Sequence, residues 1–448
     1  MSLENSVPDL TILGGGIAGL TTGYYAGQHG VPFTVYEATS RLGGNCITFN
    51  CSDFRFDSGA HRVHDKDSQV TKDIQSLLGA DLQDVAVPSQ LFDGGRLVRF
   101  PFTFFDLVRH MGMSGTTRAA RDFVAAHFSK RTTDSFASYA ARRYGRTIAD
   151  RFLLNYTEKL WGLPCTRLSP VLTGGRLRGL DVRQLVSDTI WKVRSRRNME
   201  GNFLYPTEGI GMVPAALRER LGKEHIRTNA RVTRIVHEDC RISGIEINGK
   251  QLVPVSTVVS TLPIDQVVAL LDPPAPYSIL HHSRQLTYRN IILVAFFLRR
   301  ASVTTAATIY FPDHRFPFTR VVEPRNRSPH MSPPGHTSLV AELPCNPDDD
   351  VWFTADEELV RHVSEHLQRI GWIGPEAVLG TAVRHLDHAY PVIAVDAVHS
   401  TESIKDYLAQ FRNLVLHGRN GTFQYKWIHN LFHEARLLVG ALLPWPHL

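Results

Sequence analysis

Residues 11–48 read TILGGGIAGLTTGYYAGQHGVPFTVYEATSRLGGNCIT, and this stretch decides the fold. An apolar run, Leu10 to Leu13, leads into Gly14-Gly15-Gly16-Ile17-Ala18-Gly19, a GxGxxG between a predicted strand and a predicted helix. In such a turn Gly14 permits the tight bend, Gly16 lets the backbone approach a pyrophosphate, and Gly19 lets the helix pack on the sheet. The helix N-terminus then offers unpaired N–H groups to phosphate. A second predicted strand, Phe33 to Tyr36, ends at Glu37, placed to accept from a ribose hydroxyl. Strand, glycines, helix, strand and acid fall in the order a dinucleotide-binding βαβ unit requires. Arg41-Leu42-Gly43-Gly44 follows at once, with Thr48 four residues on.

Working outward, the chain has 448 residues, 43% of them hydrophobic and 21% charged, as in an ordinary globular protein of two or three domains. No apolar run reaches the roughly 18 residues a membrane helix needs. Ile291 to Leu298 is too short for one and reads as a buried strand. The start, MSLENSVPDL, has neither a basic n-region nor an apolar core, so export is not expected. Five scattered cysteines without a CxxC pair suit a reducing cytoplasm and no zinc site. His429 and His433 share a helix face, but no third ligand lies nearby, so no metal is expected. The net charge of +6 is spread along the chain without a nucleic-acid motif, so no nucleic-acid partner is expected. The arginine-rich stretches 176–197 and 315–327 suit a smaller anionic ligand.

Segments of different character interleave. Residues 1–50 read as βαβ, and from Asp73 to about Arg197 the pattern is mainly helical. Residues 205–272 return to dinucleotide-domain character. There a helix is predicted over Thr207–Leu221, strands over Arg231–Ile235 and Gly244–Val253 with a turn at Asn248-Gly249, and a buried strand over Val255–Leu262. Residues 285–345 and 376–394 read as strands around a helix at about Ala355–Ile370, and the end reads as strand then helix. The expectation is an α/β protein whose Rossmann-like domain is assembled from discontinuous segments.

Five blocks resemble the UDP-galactopyranose mutase-like branch of the FAD-dependent amine oxidase and protoporphyrinogen oxidase superfamily. The first is GxGxxG–Glu37 with Arg41, Gly43, Gly44 and Thr48, similar to the superfamily's RxGGxxxT signature. The second, Gly59-Ala60-His61-Arg62-Val63-His64-Asp65, resembles a GxHxxH loop beside the flavin. The third is Tyr156 to Gly162, similar to YTxKxWG, with Arg176-Leu177-Arg178 after it. The fourth, Thr319-Arg320-Val321-Val322-Glu323, is similar to TRxxE. The fifth joins Tyr390-Pro391 to Gly418-Arg419 and Tyr425, similar to a terminal GR…Y element. The chain departs from the mutase pattern where Lys426-Trp427-Ile428 replaces Tyr-Asp-Met and Phe423 replaces a tyrosine.

The resemblance implies an FAD-binding domain (1–66, 205–272 and 395–448), a mainly helical part (67–204, with a strand contribution near 90–101) and an antiparallel-sheet substrate domain (273–394). It implies FAD contacts from Gly14, Gly16, Gly19, Glu37, Arg41, Gly43, Gly44, His61, Val232 and Arg419. Arg320 and Arg176 would hold a diphosphate, with Arg178 competing for the second place, and Tyr390 and Tyr425 would donate hydrogen bonds to it. His64 would touch the flavin region or act as acid/base, and Phe152, Tyr156 and Trp161 would stack on a nucleotide. The implied activity is pyranose–furanose interconversion of a nucleotide-diphosphate sugar, without net redox, through N5 of reduced flavin. An external reductant such as NAD(P)H goes with it, and a dimer is compatible with it. The alternative is an FAD-dependent oxidase or desaturase, which the first block supports equally well.

Overall fold

The computed structural model of the chain describes residues 9–100, 104–128, 133–173 and 202–443. Its centre is a five-stranded parallel sheet in the order Leu414–Leu416, Thr257–Ser260, Leu10–Leu13, Phe33–Tyr36, Ile226–Arg227. These strands come from far-apart stretches of chain, so the sheet is discontinuous in sequence as expected. Leu10–Leu13 is central, and all four residues are buried, because helices cover both faces of a parallel sheet. The helix Ile17–Gln28 buries ten residues against it, and Ile428–Leu442 packs alongside, with Tyr25 and Phe432 edge to face.

A seven-stranded sheet runs Val378–Pro391, Tyr288–Leu298, Thr337–Cys345, Arg320–Val322, Thr308–Tyr310, Ser89–Asp93, Arg96–Phe100. Only the Thr308–Tyr310/Ser89–Asp93 pair is parallel. All eleven residues of Tyr288–Leu298 are buried, which explains its unbroken apolar run. Ser89–Asp93 and Arg96–Phe100 are the strands expected near 90–101, and Leu82–Ala86 is a further strand inside the stretch that reads as mainly helical. A smaller sheet contains two tight turns. Asn248-Gly249 has the expected positive φ angles, and so do Asp239 and Cys240, at +48° and +55°. The second turn also has I′ geometry, without the usual glycine.

The helices Phe104–His127, Phe136–Tyr144 and Asn155–Trp161 form the cover. Between the last two, Ala149–Leu154 winds as a π-helix, and Phe152 sits in it. Such wide turns recur at functional sites, because they re-aim side chains. Gly162, left-handed at φ +69°, ends the cover immediately after Trp161, and a Cβ there would lie 2.4 Å from Arg289 Nη1. Among the described residues no helix is long and apolar enough to cross a membrane.

Candidate active site

The parallel sheet, the seven-stranded sheet and the helical cover enclose one large cavity of about 700 Å³. Its first wall is the glycine turn. Gly14 has φ +101°, Gly43 N donates to Gly15 O at 2.8 Å, and Gly16 and Gly44 face the cavity back to back. A Cβ on Gly16 would meet only Gly44 within 4 Å, so this surface is kept clear for something other than protein. Glu37 Oε2 accepts from Gly15 N at 2.8 Å, and Oε1 accepts from Thr39 N and Oγ1, each at 2.9 Å. A carboxylate has about four acceptor positions. Glu37 therefore braces the turn and still has capacity for a hydroxyl on its cavity side. Asn420 lines the same cavity, and its buried Oδ1 has no partner among the described residues. An N–H donor on the bound group would satisfy it. Glycine cradle, acid and unspent acceptor together fit a flavin dinucleotide.

Three of the candidate cofactor residues lie elsewhere. Gly19 packs helix on turn, and a Cβ there would be 1.9 Å from Gly14 O. Arg41 donates to Gly44 O at 2.9 Å and so pins the second glycine turn from outside. Val232 packs in an apolar core and does not line the cavity. Arg176 and Arg178 lie outside the described residues.

The second wall is the seven-stranded sheet. Arg320, 6% exposed, donates from Nε to Glu342 Oε2 at 2.6 Å and from Nη2 to Tyr390 Oη at 2.8 Å. Burial works against its charge, but Glu342 more than offsets this and holds the pKa well above the usual arginine value. Tyr390 accepts from the arginine and keeps its own proton to donate. Arg419 donates to the carbonyls of Ala389 and Lys426 and lies 5.4 and 4.9 Å from the Tyr390 and Tyr425 rings. It thereby ties the terminal loop to the sheet. Trp161 contacts both tyrosine rings, at 5.9 and 6.3 Å, and Tyr156 meets Tyr310 edge to face. Phe152, Tyr156, Trp161 and Arg320 all line the same cavity.

The third wall is the Gly59–Lys66 loop. Ser58 Oγ donates its only proton to Asn45 O, so it must accept from His61 Nε2, 3.0 Å away. That assigns His61 as the neutral Nε2–H tautomer. Burial, with Arg419, Arg327 and Arg320 nearby, pushes its pKa down to about 3. Burial likewise lowers His64 to about 3 and His429, packed beside it, to about 4. His433 instead pairs with Asp67 at 2.6 Å, so the two helix-face histidines do not converge. Among the described residues no His, Cys, Asp and Glu group is arranged to hold a metal.

These three histidines set a pH dependence. Their folded pKa values lie below the unfolded value of about 6.5, so the unfolded chain binds more protons between about pH 6.5 and 4. The stability they contribute is complete above pH 6.5 and is lost on acidification, at up to about 1.4 kcal/mol per pH unit per histidine. Thermal unfolding should show the midpoint falling from pH 6.5 to 4.5, and less steeply in His64→Gln. Equal slopes in both proteins would contradict this assignment.

Sequence reading missed several cavity residues: Arg62, Lys66, Tyr310, His388 and Asn420. Arg62 and Lys66 stand in or beside the GxHxxH loop, where the histidines drew attention. Asn420 follows Arg419 in the terminal element, whereas Tyr310 and His388 face the cavity only because distant strands pair.

Fold and site together define a dinucleotide-binding flavoprotein. The sequence profile of the family described as flavin containing amine oxidoreductase matches residues 17–423, and the chain belongs to that family. FAD is its cofactor. Protoporphyrinogen oxidase 1, chloroplastic, of Arabidopsis thaliana is 23% identical over 405 residues, covering 81% of this chain and 74% of that protein. Among solved structures, reduced UDP-galactopyranose mutase superposes with a TM-score of 0.83 at 20% identity, covering 97% of this chain and 95% of that one. A putative protoporphyrinogen oxidase from Exiguobacterium sp. 255-15 gives 0.76 at 20% identity, covering 98% and 99%.

Proposed function

We propose that this protein is an FAD-dependent mutase that interconverts the pyranose and furanose forms of a nucleotide-diphosphate sugar without net redox. One observation carries the reading. A buried arginine, Arg320, is oriented by Glu342 and Tyr390 in a cavity that the aromatic residues Phe152, Tyr156 and Trp161 also line. Such a site suits a ligand with an anionic middle and a flat, stackable end. As the bond to the diphosphate breaks, charge grows on the leaving oxygens. A fixed guanidinium and the Tyr390 and Tyr425 hydroxyls stabilise that charge without having to reorganise. Arg419 keeps both tyrosines in place, and the cover excludes water. When bound and reduced, the flavin supplies the nucleophilic nitrogen. The reading calls for an external reductant such as NAD(P)H and a cytoplasmic setting. It also agrees with the fold likeness to the reduced mutase.

The likeness to protoporphyrinogen oxidases favours a second reading, an FAD-dependent oxidase that passes electrons from substrate to flavin. Dithionite-reduced protein, incubated with NDP-pyranoses and NDP-furanoses and followed by chromatography, separates the two. The mutase reading predicts ring interconversion only in the reduced state. Unchanged sugars, together with flavin bleaching by a porphyrinogen or amine, would replace it with the oxidase.

A further inference from the structure

Arg62 lies between His61 and Val63 on the loop and lines the cavity. Its Nη2 donates to Ser89 Oγ at 2.7 Å and Thr308 Oγ1 at 3.4 Å, and its guanidinium carbon sits 4.7 Å from the Phe203 ring centroid. All of these partners are neutral. Among the described residues no carboxylate forms an ion pair with Arg62, and neither Nε nor Nη1 donates a hydrogen bond. The charges around it make matters worse. Arg327 Nη2 donates to the same Thr308 hydroxyl at 3.0 Å, and Arg320 is the next cation. The nearby buried carboxylates are engaged elsewhere: Glu342 with Arg320, and Asp57 with Tyr205, Thr48 and Ile210. Burial, opposed in part by Tyr310 and reinforced by Arg327 and Arg320, lowers the Arg62 pKa to about 10. A cation in this position is costly unless an anion joins it.

The sheet order locates it further. Arg320 lies on one strand, Thr308 on the next and Ser89 on the one beyond. At about 4.8 Å per strand, the strands that anchor Arg62 lie about 5 and 10 Å from that of Arg320. A single ligand with two anionic groups can reach both.

We propose that Arg62 is a second oxyanion-binding position in this cavity, taking a phosphate or carboxylate oxygen of the substrate while Arg320 holds another. Among the described residues the position is chemically ready: two unspent N–H faces, a fixed guanidinium plane and no competing carboxylate. A bidentate grip on a planar or tetrahedral oxyanion is what arginine does best. The inference rests on the cavity being the substrate site and not on the substrate being a nucleotide sugar.

The test is calorimetric titration of flavin-loaded wild type, Arg62→Gln and Arg62→Lys with three probes: inorganic pyrophosphate, citrate and uridine. At least one anion should bind wild type, weaken about tenfold or more in Arg62→Gln, and recover in part in Arg62→Lys, as a charge-assisted hydrogen bond implies. Uridine affinity should stay put, and the unfolding midpoint of the ligand-free protein should hold or rise in Arg62→Gln, because the buried charge is removed. Pyrophosphate alone responding assigns phosphate; citrate alone responding assigns carboxylate. Failure of both anions to bind wild type would overturn the proposal. So would unchanged anion affinity in Arg62→Gln, or an equal loss for uridine, which marks a mere brace of the loop. Ring interconversion failing while the Arg62 effect persists would remove only the mutase reading.

Discussion

Arg320→Ala is expected to lower turnover by about a hundredfold to a thousandfold and to destabilise the protein by about 3–5 kcal/mol. Both effects have one origin. The guanidinium is the sole partner of Glu342 Oε2 in this ion pair, and Glu342 is 2% exposed with Oε1 already unpartnered among the described residues. Truncation leaves a carboxylate buried alone and removes the donor that fixes Tyr390. Arg320→Lys keeps a charge but cannot make the same fork to Glu342 and Tyr390, so it should recover stability better than turnover. Paired replacement by Arg320→Met and Glu342→Leu should restore the unfolding midpoint and leave ligand affinity lost. Recovery of affinity in that double variant would show that the arginine acts only structurally.

The second large effect separates folding from cofactor binding within a single turn. Gly16→Val adds atoms where only Gly44 lies within 4 Å, so the chain should fold and purify without flavin. Gly19→Ala places a Cβ 1.9 Å from Gly14 O, which no rotamer relieves, so helix and sheet must part. The expected results are a folded, colourless Gly16→Val protein and a misfolded Gly19→Ala protein. Circular dichroism and the flavin absorbance per chain check them. A yellow Gly16→Val protein would mean that the dinucleotide does not lie on this turn.

The sequence makes the parallel sheet legible, because a glycine turn between a strand and a helix is a local constraint that fixes its own geometry. Arg320, Tyr390, Tyr425 and the aromatic residues Phe152, Tyr156 and Trp161 were singled out by the family resemblance, and all line one cavity. Arg62 was not, because what singles it out is the absence of a counter-ion among the described residues. That depends on Ser89 and Thr308 pairing across strands far apart in sequence. Arg41 and Val232 show the converse: a motif position can serve the fold, here by bracing a carbonyl and filling a core. The Asp239-Cys240 turn carries no glycine to mark it in the sequence, although both residues adopt positive φ. Of the strands at 82–100, those near 90–101 were expected, whereas Leu82–Ala86 was not, because it forms by pairing with Asn202–Pro206.

The most direct test of the central claim is a titration of flavin-loaded protein with UDP, GDP and dTDP. It is followed by the flavin spectrum in the oxidised and then the dithionite-reduced state. The account predicts micromolar binding of one nucleotide, weakened strongly by Arg320→Ala. Absence of binding by all three in both states would contradict it and point to an oxidase of uncharged or porphyrin-like substrates.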